Sequence, residues 1–106
     1  MMKIDRICIR DYIGHDYISI TRPSLYGNIY SSKDKSIALH KVASKKIAID
    51  KYREYILENI DILDALIREL EETKYSKIGC FCKNGSKCHG DILVELIKER
   101  TTKSIF

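Results

Sequence analysis

The stretch KIGCFCKNGSKCHGDILVELI, residues 77–97, joins a short apolar run to an amphipathic one across a turn-forming segment. Lys77 to Cys82 is apolar at its centre (Ile78, Cys80, Phe81) and polar at its flanks, which predicts a buried strand. Lys83 to Lys87 is a turn by composition, and Ile92 to Ile97 places Leu93, Leu96 and Ile97 on one face of a helix. A strand that leaves through a loop into a helix is where open α/β sheets place their chemistry. Three of the four cysteines and one of the three histidines fall in this stretch.

Upstream, Ile4 to Ile9 alternates, with Ile4, Arg6 and Cys8 on one side and Asp5, Ile7 and Ile9 on the other. Asp16 to Thr21 carries Tyr17, Ile18 and Ile20, so both segments read as strands. Gly14 supplies a turn between them, which leaves a hairpin and two separate strands equally open. Arg22 to Asn28 holds the single proline and reads as a structured loop; Ser31 to Ser36 is polar and lysine-rich and reads as a mobile segment. Ser44 can cap a helix that buries Ile47, Ile49, Tyr52 and Ile56. Asn59 can end it, and Asp61 can cap a second helix carrying Leu63, Leu66, Ile67 and Leu70. Strands separated by helices predict a parallel crossover. The expected fold is therefore a small single α/β domain over 1–106, with a short, mostly parallel sheet flanked by helices, the site at the carboxyl ends of the strands, and 101–106 a loose tail.

With 106 residues, 44% hydrophobic and 32% charged, one modest core is expected and disorder is not. Neither a secretory leader nor a run of eighteen apolar residues is visible, so the expected location is intracellular, in the cytoplasm, with no membrane partner. Cysteines in a reducing compartment read as thiols or metal ligands before disulfides. The net charge is +4, and the basic residues between Lys33 and Arg53 precede an acidic block from Glu54 to Glu72. Such blocks are usually solvated helix faces; a nucleic-acid partner through Lys41, Lys45, Lys46 and Lys51 is the sharper alternative. Size alone allows a homodimer.

Cys80, Cys82, Cys88 and His89 form a Cys3His set of the kind zinc accepts, at a spacing unusual for zinc. The same residues also read as buried thiols of a strand, or as a reactive centre in which Cys88, at a helix start near Lys83 and Lys87, is nucleophile or redox thiol and His89 its proton partner. Gly90 allows a ligand close to the helix start, where Asp91 is equally an ordinary first-turn acid. In the other loop Arg22 suits phosphate or carboxylate, Ser24 adds a hydroxyl, and Gly27-Asn28 permits a tight turn with a side-chain amide at its tip. If the two loops open on the same sheet edge, they share a crevice. His15, His40 and Cys8 read as structural or solvated.

The segments Thr21-Arg22-Pro23-Ser24 with Gly27-Asn28, the helix Ile49 to Ile56, then Gly79-Cys80-Phe81-Cys82 and Cys88-His89-Gly90-Asp91-Ile92-Leu93 resemble the domain-of-unknown-function family numbered 4326, over about Asp16 to Arg100. Its members occur in bacteria and phages and carry an arginine-proline-serine segment with glycine-asparagine-proline, and cysteine-tryptophan-cysteine with cysteine-histidine-glycine. Here Ile29 replaces the proline and Phe81 the tryptophan. The resemblance implies a two-loop site and brings no activity with it.

The expected function is binding of a phosphorylated, nucleotide-like ligand in the two-loop crevice, beside a Cys/His metal or thiol centre. If the chain is an enzyme, the expected class is hydrolase or group transferase. The alternatives are a zinc-stabilised module that binds nucleic acid or protein without chemistry, and a thiol redox switch.

Overall fold

The first and second strands do not pair with each other. In the structure, a computed structural model describing residues 3–21, 24–28, 30–31, 40–81 and 88–103, β5 (Lys77–Cys80) lies between β1 (Asp5–Cys8) and β2 (Ile18–Ser19). Both pairings are parallel, with Cys8 opposite Cys80 and Ser19 opposite Gly79. The hairpin left open by the sequence is thereby excluded. β5 takes the centre because Ile78, Gly79 and Cys80 are all buried, and a central parallel strand is covered on both faces. Gly79 fits there because a Cβ would stand 2.6 Å from Tyr17 Cδ1 and 2.9 Å from Ile9 Cγ1.

A two-residue parallel pair, β3 (Tyr30–Ser31) with β4 (His40–Lys41), forms a second small sheet. α1 (Lys45–Glu58) starts at Ser44, whose Oγ accepts from the Ile47 amide at 3.2 Å, as the sequence predicts. Its buried face is Ala48, Ile49, Tyr52 and Ile56, whereas Ile47, expected on that face, is 39% exposed. Asn59 both ends α1 and begins α2 (Ile60–Thr73). Asp61, expected as the cap, sits instead inside the first turn, where its charge still favours the helix dipole. α2 ends at Lys74, in the left-handed conformation with φ 64°.

α3 runs from His89 to Lys103. It begins before Ile92 and carries Thr101 and Thr102, which the sequence places in the tail. α3 packs on β1 and β5, α1 packs on β3, and the three helices pack on one another around Tyr52, Ile56, Leu66, Ile78, Leu93 and Ile97, each fully buried. Arg53 to Glu95 at 3.0 Å ties α1 to α3, and Arg100 grips the Asp64 carboxylate of α2 with both Nε and Nη2. Among the described residues no helix is long and apolar enough to cross a membrane. Among the described residues the result is a small α/β domain with a three-stranded parallel sheet, a two-stranded parallel pair and three helices.

Candidate functional site

The first turn of α3 is a capping box with a thiol in the capping position. The Cys88 N–H donates to Asp91 Oδ2 at 3.0 Å, the Gly90 N–H donates to Cys88 Sγ at 3.4 Å, and the Asp91 N–H donates to the Cys88 carbonyl at 3.0 Å. Sulfur stands here where serine or threonine is usual. It thus faces the positive end of the helix dipole. Asp91 has the structural role that its position in the sequence allows.

Across from it, at the carboxyl end of β5, Cys80 Sγ lies 3.2 Å from Cys88 Sγ. Arg6 on β1 reaches both sides of this pair. Its Nη1 donates to Cys80 Sγ at 3.4 Å and its Nε to Asp91 Oδ1 at 2.9 Å, with the side chain only 8% exposed. Burial alone would lower the Arg6 pKa, but the hydrogen bonds to Cys80 and Asp91 carry it above its ordinary value. A guanidinium held this way is a fixed positive charge beside a sulfur. Gly90 is required by this packing, since a Cβ would stand 2.7 Å from Arg6 Cδ and 2.9 Å from Ile20 Cδ1.

His89 joins the helix start to the end of β2. Its Nε2 lies 2.7 Å from the Ile20 carbonyl oxygen and its Nδ1 3.4 Å from Cys88 Sγ. A carbonyl can only accept, so Nε2 carries the proton, and in the neutral ring Nδ1 presents a lone pair to the thiol. Thiol, imidazole and an orienting acceptor in sequence are the arrangement that generates a thiolate nucleophile. The ring is held edge-on by Tyr52, with centroids 5.1 Å apart and planes at 83°. Tyr52 in turn donates to the Tyr26 carbonyl at 2.6 Å, and its phenol pKa is pushed up first by burial and then by Tyr55 and Cys88.

The Thr21 to Asn28 loop therefore meets the α3 start through Ile20, His89 and Tyr52. Within it the Ser24 N–H donates to the Thr21 carbonyl at 2.8 Å and the Gly27 N–H to the Ser24 carbonyl at 3.0 Å, two successive turns. Asn28, read from the sequence as an amide at a loop tip, is 4% exposed and donates through Nδ2 to the Ala48 carbonyl at 3.2 Å. Ser24 Oγ is buried and, among the described residues, has no hydrogen-bond partner. Arg22 and Cys82, both expected in the site, lie outside the described residues, so the two-sulfur geometry expected of Cys80 with Cys82 lies outside them too.

A cleft of about 210 Å³ opens between α1 and α3 over Cys88, lined by Lys46, Ile49, Asp50, Asp91, Ile92 and Glu95. Its three carboxylates are each paired, Asp50 with Lys46, Asp91 with Arg6 and Glu95 with Arg53. Among the described residues no group of three or more His, Cys, Asp or Glu is arranged to hold a metal. Cys8 is buried beneath, with its Sγ 4.0 Å from the Phe81 carbonyl. His15 is exposed.

Sequence reasoning missed Arg6 and Tyr52 as neighbours of the site. Arg6 did carry a signal: it occupies the inward phase between Ile4 and Cys8, where a charge needs a buried partner. Tyr52 carried none, because an aromatic on a helical stripe is ordinary core.

A family model described as Domain of unknown function (DUF4326) matches residues 9–99. No curated protein and no solved structure matches the chain. The match spans most of the chain, which therefore belongs to this family.

Proposed function

We propose that this member of the DUF4326 family binds a phosphorylated, nucleotide-like ligand where the β2 and β5 loops meet, and acts on it with Cys88 as the attacking thiol and His89 as its base. The observation that carries the reading is the line Ile20 carbonyl, His89, Cys88, at 2.7 and 3.4 Å. It fixes the tautomer in which the histidine can take the thiol proton. The Ser24 hydroxyl, without a partner among the described residues, and, by its chemistry, the guanidinium of Arg22 are donors suited to an anion. The internal pairing of the cleft carboxylates removes the repulsion an anion would otherwise meet. Group transfer or hydrolysis is the matching reaction class.

The thiol centre is preferred to a zinc centre on the contact of His89 Nδ1 with Cys88 Sγ at 3.4 Å; the bond from Nε2 to the Ile20 carbonyl suits a metal-ligating histidine equally well and does not decide between them. Alkylation by iodoacetamide, followed at each cysteine by mass spectrometry with and without adenosine diphosphate, tests the reading. Cys88 should react fastest, more slowly in His89→Gln, and more slowly again with the nucleotide present in the parent but not in Arg22→Ala. Equal rates in parent and His89→Gln, with no protection by the nucleotide or by pyrophosphate, would remove it.

A further inference from the structure

Cys80 and Cys88 are the two ends of a contact that spans β5 and α3. Both are 1% exposed, and their sulfurs stand 3.2 Å apart. A disulfide bond needs about 2.05 Å, so closure asks for a movement of roughly 1 Å, within the reach of side-chain rotation and a small helix shift. The surroundings differ in a way that assigns roles. Cys88 lines the floor of the cleft between α1 and α3, the side from which a small oxidant can arrive. Cys80 lies behind it, against the Arg6 guanidinium at 3.4 Å and 3.9 Å from the Ile7 carbonyl. We propose that Cys80 and Cys88 form a reversible disulfide in response to hydrogen peroxide, with Cys88 the sulfur oxidised first and Cys80 the sulfur that resolves it.

The chemistry balances as follows. Cys88 thiolate attacks one peroxide oxygen, the O–O bond breaks, and hydroxide leaves, giving a sulfenic acid on Cys88. The Cys80 thiolate, held beside Arg6, then attacks the Cys88 sulfur; the S–S bond forms, the S–O bond breaks, and a second hydroxide leaves. With the two thiol protons the products are one disulfide and two waters, the thiols being oxidised and peroxide reduced. In the oxidised chain Cys88 no longer has a thiolate to offer, so the same step silences the nucleophile proposed above. Disulfide formation itself needs only the two sulfurs and not the ligand, so it stands or falls separately from that proposal.

The test is stoichiometric hydrogen peroxide on the full chain, quenched by alkylation under denaturing conditions and read by peptide mass spectrometry. The expected product is a Cys80–Cys88 linked peptide, reversed by dithiothreitol, with Cys8 alkylated throughout. In Cys80→Ser the Cys88 sulfenic acid should persist and be captured by dimedone, which captures little in the parent. Full alkylation of both cysteines after peroxide would overturn the inference, as would a linkage through Cys8 or Cys82 in place of Cys80, or equal dimedone capture in parent and variant. Nucleotide protection has no part in these readouts, so a failed ligand proposal leaves this result interpretable.

Discussion

Removing a single oxygen from Tyr52 should measurably destabilise the domain. The side chain is fully buried, and its hydroxyl donates to the Tyr26 carbonyl at 2.6 Å. Tyr52→Phe keeps the ring, its edge-on contact with His89 and almost all of its packing. What is lost is one buried hydrogen bond, and the Tyr26 carbonyl, in a residue only 8% exposed, cannot recover a water in exchange. Leaving a buried acceptor unsatisfied costs about 1–3 kcal/mol. At a chain length near 100 residues, where each kcal/mol moves the melting midpoint by about 4 °C, that is a fall of roughly 4–12 °C. Urea unfolding followed by far-UV circular dichroism measures it directly. An unchanged slope with a lower midpoint identifies a change in stability rather than in the unfolded chain. A variant within about 0.5 kcal/mol of the parent, the range of ordinary surface substitutions, would refute the claim that Tyr52 fastens the Tyr26 loop to α1.

Ser24→Ala removes a hydroxyl that has no partner among the described residues, so stability should stay within about 0.5 kcal/mol while nucleotide protection of Cys88 weakens; a large loss of stability would show that the hydroxyl is structural. Gly90→Ala would ordinarily favour a helix, but its methyl meets Arg6 and Ile20, so a lower unfolding midpoint is expected and a higher one would mean that Arg6 is not held where described. The Asp64 carboxyl is held below its ordinary pKa by Arg100, and that of Asp16 first by Tyr12 and then by the backbone and Lys77. Folded-state values below those of the unfolded chain give stability that is present above the ordinary carboxylate pKa of about 3.9 and lost as pH falls through the folded values. The urea midpoint should therefore hold from neutral pH to about 5 and drop below about 4, less steeply in Asp64→Asn; identical acid profiles for parent and variant would contradict the Arg100 pairing.

The helices were legible where apolar spacing was regular. Ile49, Tyr52 and Ile56 in α1, and Leu63, Leu66, Ile67 and Leu70 in α2, all face the core as read. The start of α1 at Ser44 was legible too, but that of α2 was not, because Asn59 serves two helices at once and leaves Asp61 with nothing to cap. The start of α3 was hidden by its own chemistry. Cys88 to Asp91 reads as a cluster of reactive residues, and only the bonds from Cys88 N–H to Asp91 and from Gly90 N–H to sulfur reveal a capping box. β3 and β4 are two residues each, too short to carry a period.

For the candidate site, the sequence expects two distant loops to share a crevice; among the described residues the end of β2 meets the start of α3. The link is the Ile20 backbone carbonyl, which no side-chain pattern announces. Asn28 shows the opposite error: a glycine-asparagine pair suggests an exposed tip, yet the amide is spent on the Ala48 carbonyl and fastens the loop to α1. Arg6 was visible as a charge in an inward phase, and its partners lie on β5 and α3, which only the parallel order of the sheet brings together.

The most direct measurement is a chemical-shift map of the ¹⁵N-labelled chain titrated with adenosine diphosphate. The account predicts shifts concentrated at Ile20, Thr21, Ser24 and Cys88 to Asp91, around the meeting point of the two loops. Shifts confined to the exposed lysines of α1, Lys45, Lys46 and Lys51, or no shifts at saturating nucleotide, would contradict it.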